Sequence, residues 1–240
     1  VRRKQANYIL KRKITFILFV IYFIVLMLCL KPTLSLYDTV GVDVSRYQGE
    51  IDWQEFASQN ISFAFIKATE GSSHVDEYFA DNWLNVADTE IYASPYHFLS
   101  YDSSGITQAE NFISTVGKHS GMLPPVVDVE FYGDYYKNPP SAERVQDILD
   151  DFLYELERFY GVKPIIYATY KAYSLYIEDK YDSYPLWIRN VYFNPLFLGI
   201  SDWQFWQYSD DGILSGHQGH AIDLNVFRGK KSELEKLLIK

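Results

Sequence analysis

Several apolar runs in this chain are hydrophobic at nearly every position instead of every second one. Phe63-Ala64-Phe65-Ile66 and Pro164-Ile165-Ile166-Tyr167 place apolar groups on both faces of an extended segment. A strand buried on both faces belongs to a parallel sheet covered by helices. Eight β-rich runs can be read, at 39–45, 61–69, 91–99, 125–131, 164–169, 185–192, 203–208 and 221–227. Helical patterns separate most of them. Ser141 can cap a helix whose stripe Val145, Ile148, Leu149, Phe152, Leu156 and Phe159 ends at Gly161. Thr107-Gln108-Ala109-Glu110 has the form of a capping box, Asp76 can open a third helix and Asp52 a shorter one. The expected fold class is α/β, an irregular (β/α)8-type barrel with some late helices missing, because the last gaps are too short or too polar for full helices. A doubly wound open sheet is the structural alternative.

The 240 residues include 21 Tyr, 16 Phe and 5 Trp, which excludes a disordered chain. No Gly/Ser linker, charge block or internal repeat interrupts residues 37–240, so one domain is expected there. The formal charge of −9 is unevenly spread: Arg2, Arg3, Lys4, Lys11, Arg12 and Lys13 are the only charged side chains before residue 31, leaving −15 on the rest. A body that acidic is a poor partner for nucleic acid.

Residues 14–30 form an apolar stretch broken only by Thr15 and Tyr22. Its length is at the short end of what spans a bilayer, and the basic cluster ahead of it predicts that residues 1–13 stay in the cytoplasm. The reading favoured is a transmembrane signal anchor at 14–30 that holds an extracellular catalytic body at the cell membrane. The alternative is a signal peptide followed by secretion, although no small-x-small cleavage site is evident. Cys29 lies in this stretch, so residues 31–240 contain no cysteine and no disulfide.

In such a barrel, working side chains lie at the C-terminal ends of the strands. Those positions hold Asp43, Glu70, Tyr96, His97, Asp128, Glu130, Tyr167, Trp187, Trp206, Gln207 and Asp223. Asp128 and Glu130 are two apart on one strand and so face one way. Crowding two desolvated acids favours keeping one of them protonated. That is what acid-catalysed glycoside cleavage needs, a neutral acid beside an anion. Tyr96, Tyr167, Trp187 and Trp206 have faces suited to sugar C–H groups, although most aromatics in so aromatic a chain serve packing. Glu70 sits three residues from Lys67 and can simply balance its charge. His217, His220 and Asp223 have ligand-type side chains but no established zinc spacing, and no nucleophile elbow or phosphate loop is present. Neither a metal nor a cofactor is expected.

Taken in order, these motifs resemble the glycoside hydrolase family 25 lysozymes, or muramidases. They are Gly41-Val42-Asp43-Val44-Ser45 with Gln48-Gly49 and Ile51-Asp52-Trp53, then Phe65-Ile66-Lys67-Ala68-Thr69-Glu70-Gly71 and Tyr96-His97-Phe98. Pro125-Val126-Val127-Asp128-Val129-Glu130, Pro185-Leu186-Trp187-Ile188, Trp206-Gln207-Tyr208 and Ile222-Asp223-Leu224-Asn225 complete them. The resemblance implies a metal-free barrel that cuts the β-1,4 bond between N-acetylmuramic acid and N-acetylglucosamine in peptidoglycan. It implies Glu130 as general acid, Asp128 as its partner, and Asp43 and Asp223 as further acids of the site. Retaining, inverting and substrate-assisted mechanisms remain open. A chitinase-type pattern fails, because it needs Asp where Leu123 and Val126 stand. The expected partner is the glycan strand of peptidoglycan, and a monomer is favoured. The rival reading is a non-catalytic glycan-binding barrel.

Overall fold

The structure, a computed structural model, describes residues 2–30 and 37–240, with the side chains of 2–4, 6–9 and 24–30 outside that description. The chain begins with helix α1 (Arg2–Leu30). From Ile14 to Phe23 its large apolar side chains are exposed, Phe16 by 68% and Phe19 by 64%. Among the described residues no helix is long and apolar enough to cross a membrane. The expected anchor at 14–30 therefore has only its helical form on view, and its side chains beyond Phe23 lie outside the described residues.

The body is an eight-stranded barrel. Strands β1 (Thr39–Val44), β2 (Ile61–Glu70), β4 (Tyr92–Phe98), β5 (Val126–Val129), β6 (Ile165–Thr169), β7 (Leu186–Arg189), β8 (Trp203–Gly212) and β9 (Ile222–Phe227) follow one another around it, and β1 closes the ring by pairing with both β2 and β9. A two-residue strand, β3 (His74–Val75), hangs antiparallel on the end of β2. All eight expected strands are present. The parallel order runs from β1 to β8, but β9 is antiparallel to both neighbours. The eighth strand therefore presents its first residues, not its last, at the rim where the other strands end.

Alternation sorts the side chains into two cores. Phe63, Phe65, Val126, Ile165, Tyr167, Trp187, Phe205 and Phe227 fill the barrel interior, and Leu234 closes it from below. Phe63 lies so close to Gly41 that a Cβ there would fall 2.4 Å from its ring, so the filling of the barrel demands glycine at 41. Val40, Val42, Val44, Ala64, Ile66, Val127 and Val129 point outward into the helix layer.

That layer holds α2 (Trp53–Ser58), α3 (Phe79–Val86), α4 (Gly105–Val116) and α5 (Ala142–Tyr160). Ser141 caps α5 and Gly161 ends it at φ 77°, as its stripe requires. Asp52 caps α2 through the Glu55 amide. Two expected starts move. The α4 cap is Ser104, which accepts from the Thr107 amide, and Thr107 turns its own hydroxyl back to the Ser104 carbonyl. Asp76 stands one turn ahead of α3, where Oδ1 accepts from the Tyr78 amide and Oδ2 from the Arg46 amide. Among the described residues no long helix covers β7, β8 and β9. Their outer face is sealed by Tyr37, Leu198, Ile200, Trp203 and Trp206.

Candidate active site

Each strand delivers to the upper rim whichever residues alternate inward. On β1 that residue is Asp43. Gln207 Nε2 and Asn225 Nδ2 both donate to its Oδ2, at 2.8 and 2.7 Å. The two amides are oriented in turn, since Tyr167 OH donates to Gln207 Oε1 at 2.9 Å and Trp187 Nε1 to Asn225 Oδ1 at 2.8 Å. Asp43, Gln207, Asn225, Tyr167 and Trp187 are all buried, so this chain of hydrogen bonds operates away from bulk water and holds the Asp43 carboxylate in one orientation.

Burial raises the Asp43 pKa to about 6 despite the two amide donors. Asp223, opposite it across the β1–β9 ladder, is pushed up to about 9, first by desolvation and then by the negative field of Asp43. Asp43 is thus the anion of the pair at neutral pH and Asp223 carries the proton.

Asp128 and Glu130 extend inward from β5 and the residue just after it. Desolvation raises both, Asp128 well above the usual carboxylate range with the Glu130 charge as the next cause. Lys67 and Arg189 pull the other way: Arg189, then Lys67, lowers Glu130, and Lys67 lowers Asp128. Asp128 Oδ1 is buried and has no hydrogen-bond partner among the described residues. A buried acceptor left unpaired costs about 1–3 kcal/mol, so this oxygen is set up to receive a donor from a ligand. Glu130 is also fixed from behind, because the fully buried Tyr101 hydroxyl donates to its backbone carbonyl at 2.9 Å.

The structure brings Asp43, Asp128, Glu130, Asp223, Tyr96, Tyr167, Trp187 and Gln207 to this rim. Tyr96 is half-buried there, and burial and then the charges of Asp43 and Asp128 raise its hydroxyl well above the usual value. Trp187 is 2% exposed and stacks on Phe65 at 4.1 Å, so it forms the floor of the site and not an open platform.

Trp206, expected to contact substrate, does not reach the rim. It is 1% exposed, donates through Nε1 to the Asn190 carbonyl and packs with Trp203 on the outside of the barrel. The cause is a register slip between β7 and β8, where Leu186 pairs with Trp203 but Trp187 pairs with Phe205. That extra residue turns Trp203 and Trp206 to the same outer side. His97 also points outward. It is fully buried between Thr69 Oγ1 and Gln108 Oε1, stacks on Phe152 at 4.7 Å, and desolvation lowers its pKa to about 4. Glu70 pairs with Lys67 at 2.8 Å.

Sequence reasoning missed Arg189, Tyr101 and the electrostatic part of Lys67. Arg189 stands two residues beyond Trp187 on the same face of β7 and pairs with Asp210 at 2.6 Å. A cation inside an apolar strand, at 67 and again at 189, was the available signal. Among the described residues no cluster of His, Cys, Asp and Glu is arranged to hold a metal ion.

Such a barrel, with desolvated carboxyls of raised proton affinity held side by side at its mouth, defines an acid-catalysing glycoside hydrolase. Residues 42–217 match the model of glycosyl hydrolases family 25, and the chain belongs to that family. Over 204 residues it is 36% identical to the uncharacterized protein YegX of Escherichia coli K12, covering 83% of this chain and 73% of that one. Lysozyme M1 of Streptomyces globisporus is 31% identical over 210 residues, covering 81% and 69%. Among solved structures, a family 25 glycosyl hydrolase from Bacillus anthracis superposes with a TM-score of 0.82 at 48% identity, over 86% of this chain and 96% of that one.

Proposed function

We propose that this protein is a muramidase that hydrolyses the β-1,4 bond between N-acetylmuramic acid and N-acetylglucosamine in peptidoglycan. The observation that carries this reading is the placement of Glu130, half-buried, with its proton affinity raised by desolvation, beside Asp128 and across the mouth from the Asp43–Asp223 pair. A general acid must hold its proton at the working pH and yield it to the leaving oxygen. Glu130 takes that role. As the glycosidic bond breaks, positive charge grows at the anomeric carbon. Asp43 supplies the negative field that stabilises it, held by Gln207 and Asn225 so that no reorganisation is needed. The unpaired Asp128 Oδ1 suits the N–H of a 2-acetamido group, which both sugars of the substrate carry. Water then adds at the anomeric carbon and Glu130 recovers its proton.

The second part of the proposal is location. The apolar run at 14–30 and the exposed side chains from Ile14 to Phe23 support a tether in the cell membrane, with the barrel outside the cell. A tether supplies local concentration at the wall. The test of the function is mass spectrometry of fragments released from purified peptidoglycan. Reducing-end N-acetylmuramic acid is expected, and release of no fragments would leave a glycan-binding barrel in its place.

A further inference from the structure

Four of the five tryptophans, Trp53, Trp187, Trp203 and Trp206, are at most 2% exposed. Trp83 alone keeps open surface, and it lines a cavity of about 680 Å³. This cavity lies at the other end of the barrel from the acids, against Tyr92 and Ala93 where β4 begins. It meets a second hollow of about 550 Å³ at the start of β2, and the two share Ala87, Thr89, Glu90 and Lys231. Together they form one elongated groove.

The walls of the groove are built, not loose. Trp83 is backed by Phe79, with rings 5.6 Å apart and 27° from parallel, and His119 meets it edge-on at 5.9 Å. Tyr92 is pinned by its hydroxyl, which donates to Glu235 Oε1 at 3.1 Å, and Lys231 Nζ lies 5.5 Å from its ring centre. Val86, Ile91 and Met122 give an apolar floor, while Thr89, Ser120, Glu90 and Glu235 offer hydroxyls and carboxylates along the sides. Fixed aromatic faces suit the C–H face of a pyranose, and carboxylates accept pairs of sugar hydroxyls. The acid excess, with Glu90, Glu235 and Asp88 against Lys231, disfavours polyanions. A groove running through two hollows exceeds what one sugar ring fills and fits a strand of them.

We propose that this groove is a second glycan-binding site, remote from catalysis, which holds a neighbouring peptidoglycan strand while the mouth works. The ligand class rests on the muramidase reading. The site itself rests on the groove.

The experiment uses the 240-residue chain in mild detergent, with Trp83→Ala and with Ala87→Arg, an exposed position lining both hollows, where a long charged side chain obstructs the groove at their junction. Each is tested for sedimentation with intact sacculi in an Glu130→Gln background, and for turnover of sacculi and of a soluble peptidoglycan tetrasaccharide in the active background. Both variants are expected to bind sacculi about tenfold more weakly and to digest them correspondingly slowly, with turnover of the tetrasaccharide unchanged. Unaltered sacculus affinity in Ala87→Arg overturns the proposal, even if Trp83→Ala fails to fold. Competition by free stem peptide, and not by an N-acetylglucosamine oligomer, overturns the glycan assignment. Failure of the muramidase reading shows separately, as absence of turnover by the unaltered chain on both substrates.

Discussion

Asp43 and Asp223 are direct partners across the antiparallel β1–β9 ladder, which sets two carboxyls face to face at the mouth of the barrel. Burial holds the proton on Asp223 up to about pH 9 against an ordinary 3.8, so the native state binds a proton that the unfolded chain has already released. Stability from this group is complete below about pH 3.8 and is lost as the pH rises towards 9. The urea midpoint should therefore fall between pH 5 and pH 9. Asp223→Asn should flatten that decline and be the more stable form at pH 9. A variant with the same slope as the parent contradicts the shared-proton arrangement.

Glu130→Gln keeps the shape of the acid and removes its transferable proton. Turnover of peptidoglycan should drop about 10²–10⁴-fold while sedimentation with sacculi persists. In the parent, the rate should decline on the alkaline side as Glu130 ionises, at a pH above the ordinary glutamate value because burial raises it. The variant's residual rate should lack that alkaline limb.

Asn225→Leu removes one of two donors to Asp43 and orphans the Trp187 indole N–H. The expected cost is about 1–3 kcal/mol in denaturant unfolding, together with an Asp43 pKa moved upward from about 6. Carbon-detected NMR titration of the Asp43 carboxyl reads the second effect directly.

His97 should stay neutral through the physiological range. Desolvation lowers it to about 4, so its ring proton resonances should show no titration between pH 5.5 and 8, in contrast to an exposed histidine near 6.5. A midpoint near 6.5 would mean that its packing against Phe152 opens in solution.

Removal of residues 1–36 tests the tether. The parent chain should partition with membranes and the shortened body should not, while both release the same fragments from soluble substrate. Equal partitioning would place the attachment elsewhere.

Much of this architecture is written in local pattern. Runs apolar on both faces marked the parallel strands, the Ser141-to-Gly161 stripe marked α5, and Asp128 and Glu130 declared their shared face by spacing alone. What escaped depends on non-local geometry. The direction of β9 is set by a turn that carries no distinctive motif, so Asp223 was assigned to the rim as the end of a rising strand when it stands at the start of a descending one. The Trp206 reading failed because one slipped residue between β7 and β8 reverses inward and outward beyond it. Ser104 and Thr107 are both sound caps, and only the packing of Gly105 against α5, where a Cβ would fall 2.0 Å from the Ile148 carbonyl, selects the earlier start. Arg189 and Tyr101 act through neighbours brought from distant parts of the chain, which no spacing rule reports.

The reversed last strand also separates two kinds of change that the chain can tolerate. The lips of the mouth at β2, β4, β5 and β6 are continuous with helices packed on the barrel, and lengthening them disturbs that packing. The lip between β8 and β9 is the loop 213–221, tied to α2 by Ser215 hydrogen bonds to Gln59 and Glu55 and by His217 set edge-on to Phe56. The end of β8 that leads into it, at Ser209–Asp211, has no such anchor among the hydrogen bonds to α2. Extra residues at Ser209–Asp211, where the β8–β9 ladder already slips register and Asp210 and Asp211 are exposed, can reshape the cleft beside Arg189 without touching those anchors, which makes this end of β8 the natural place for such an enzyme to acquire tolerance of differently decorated substrates.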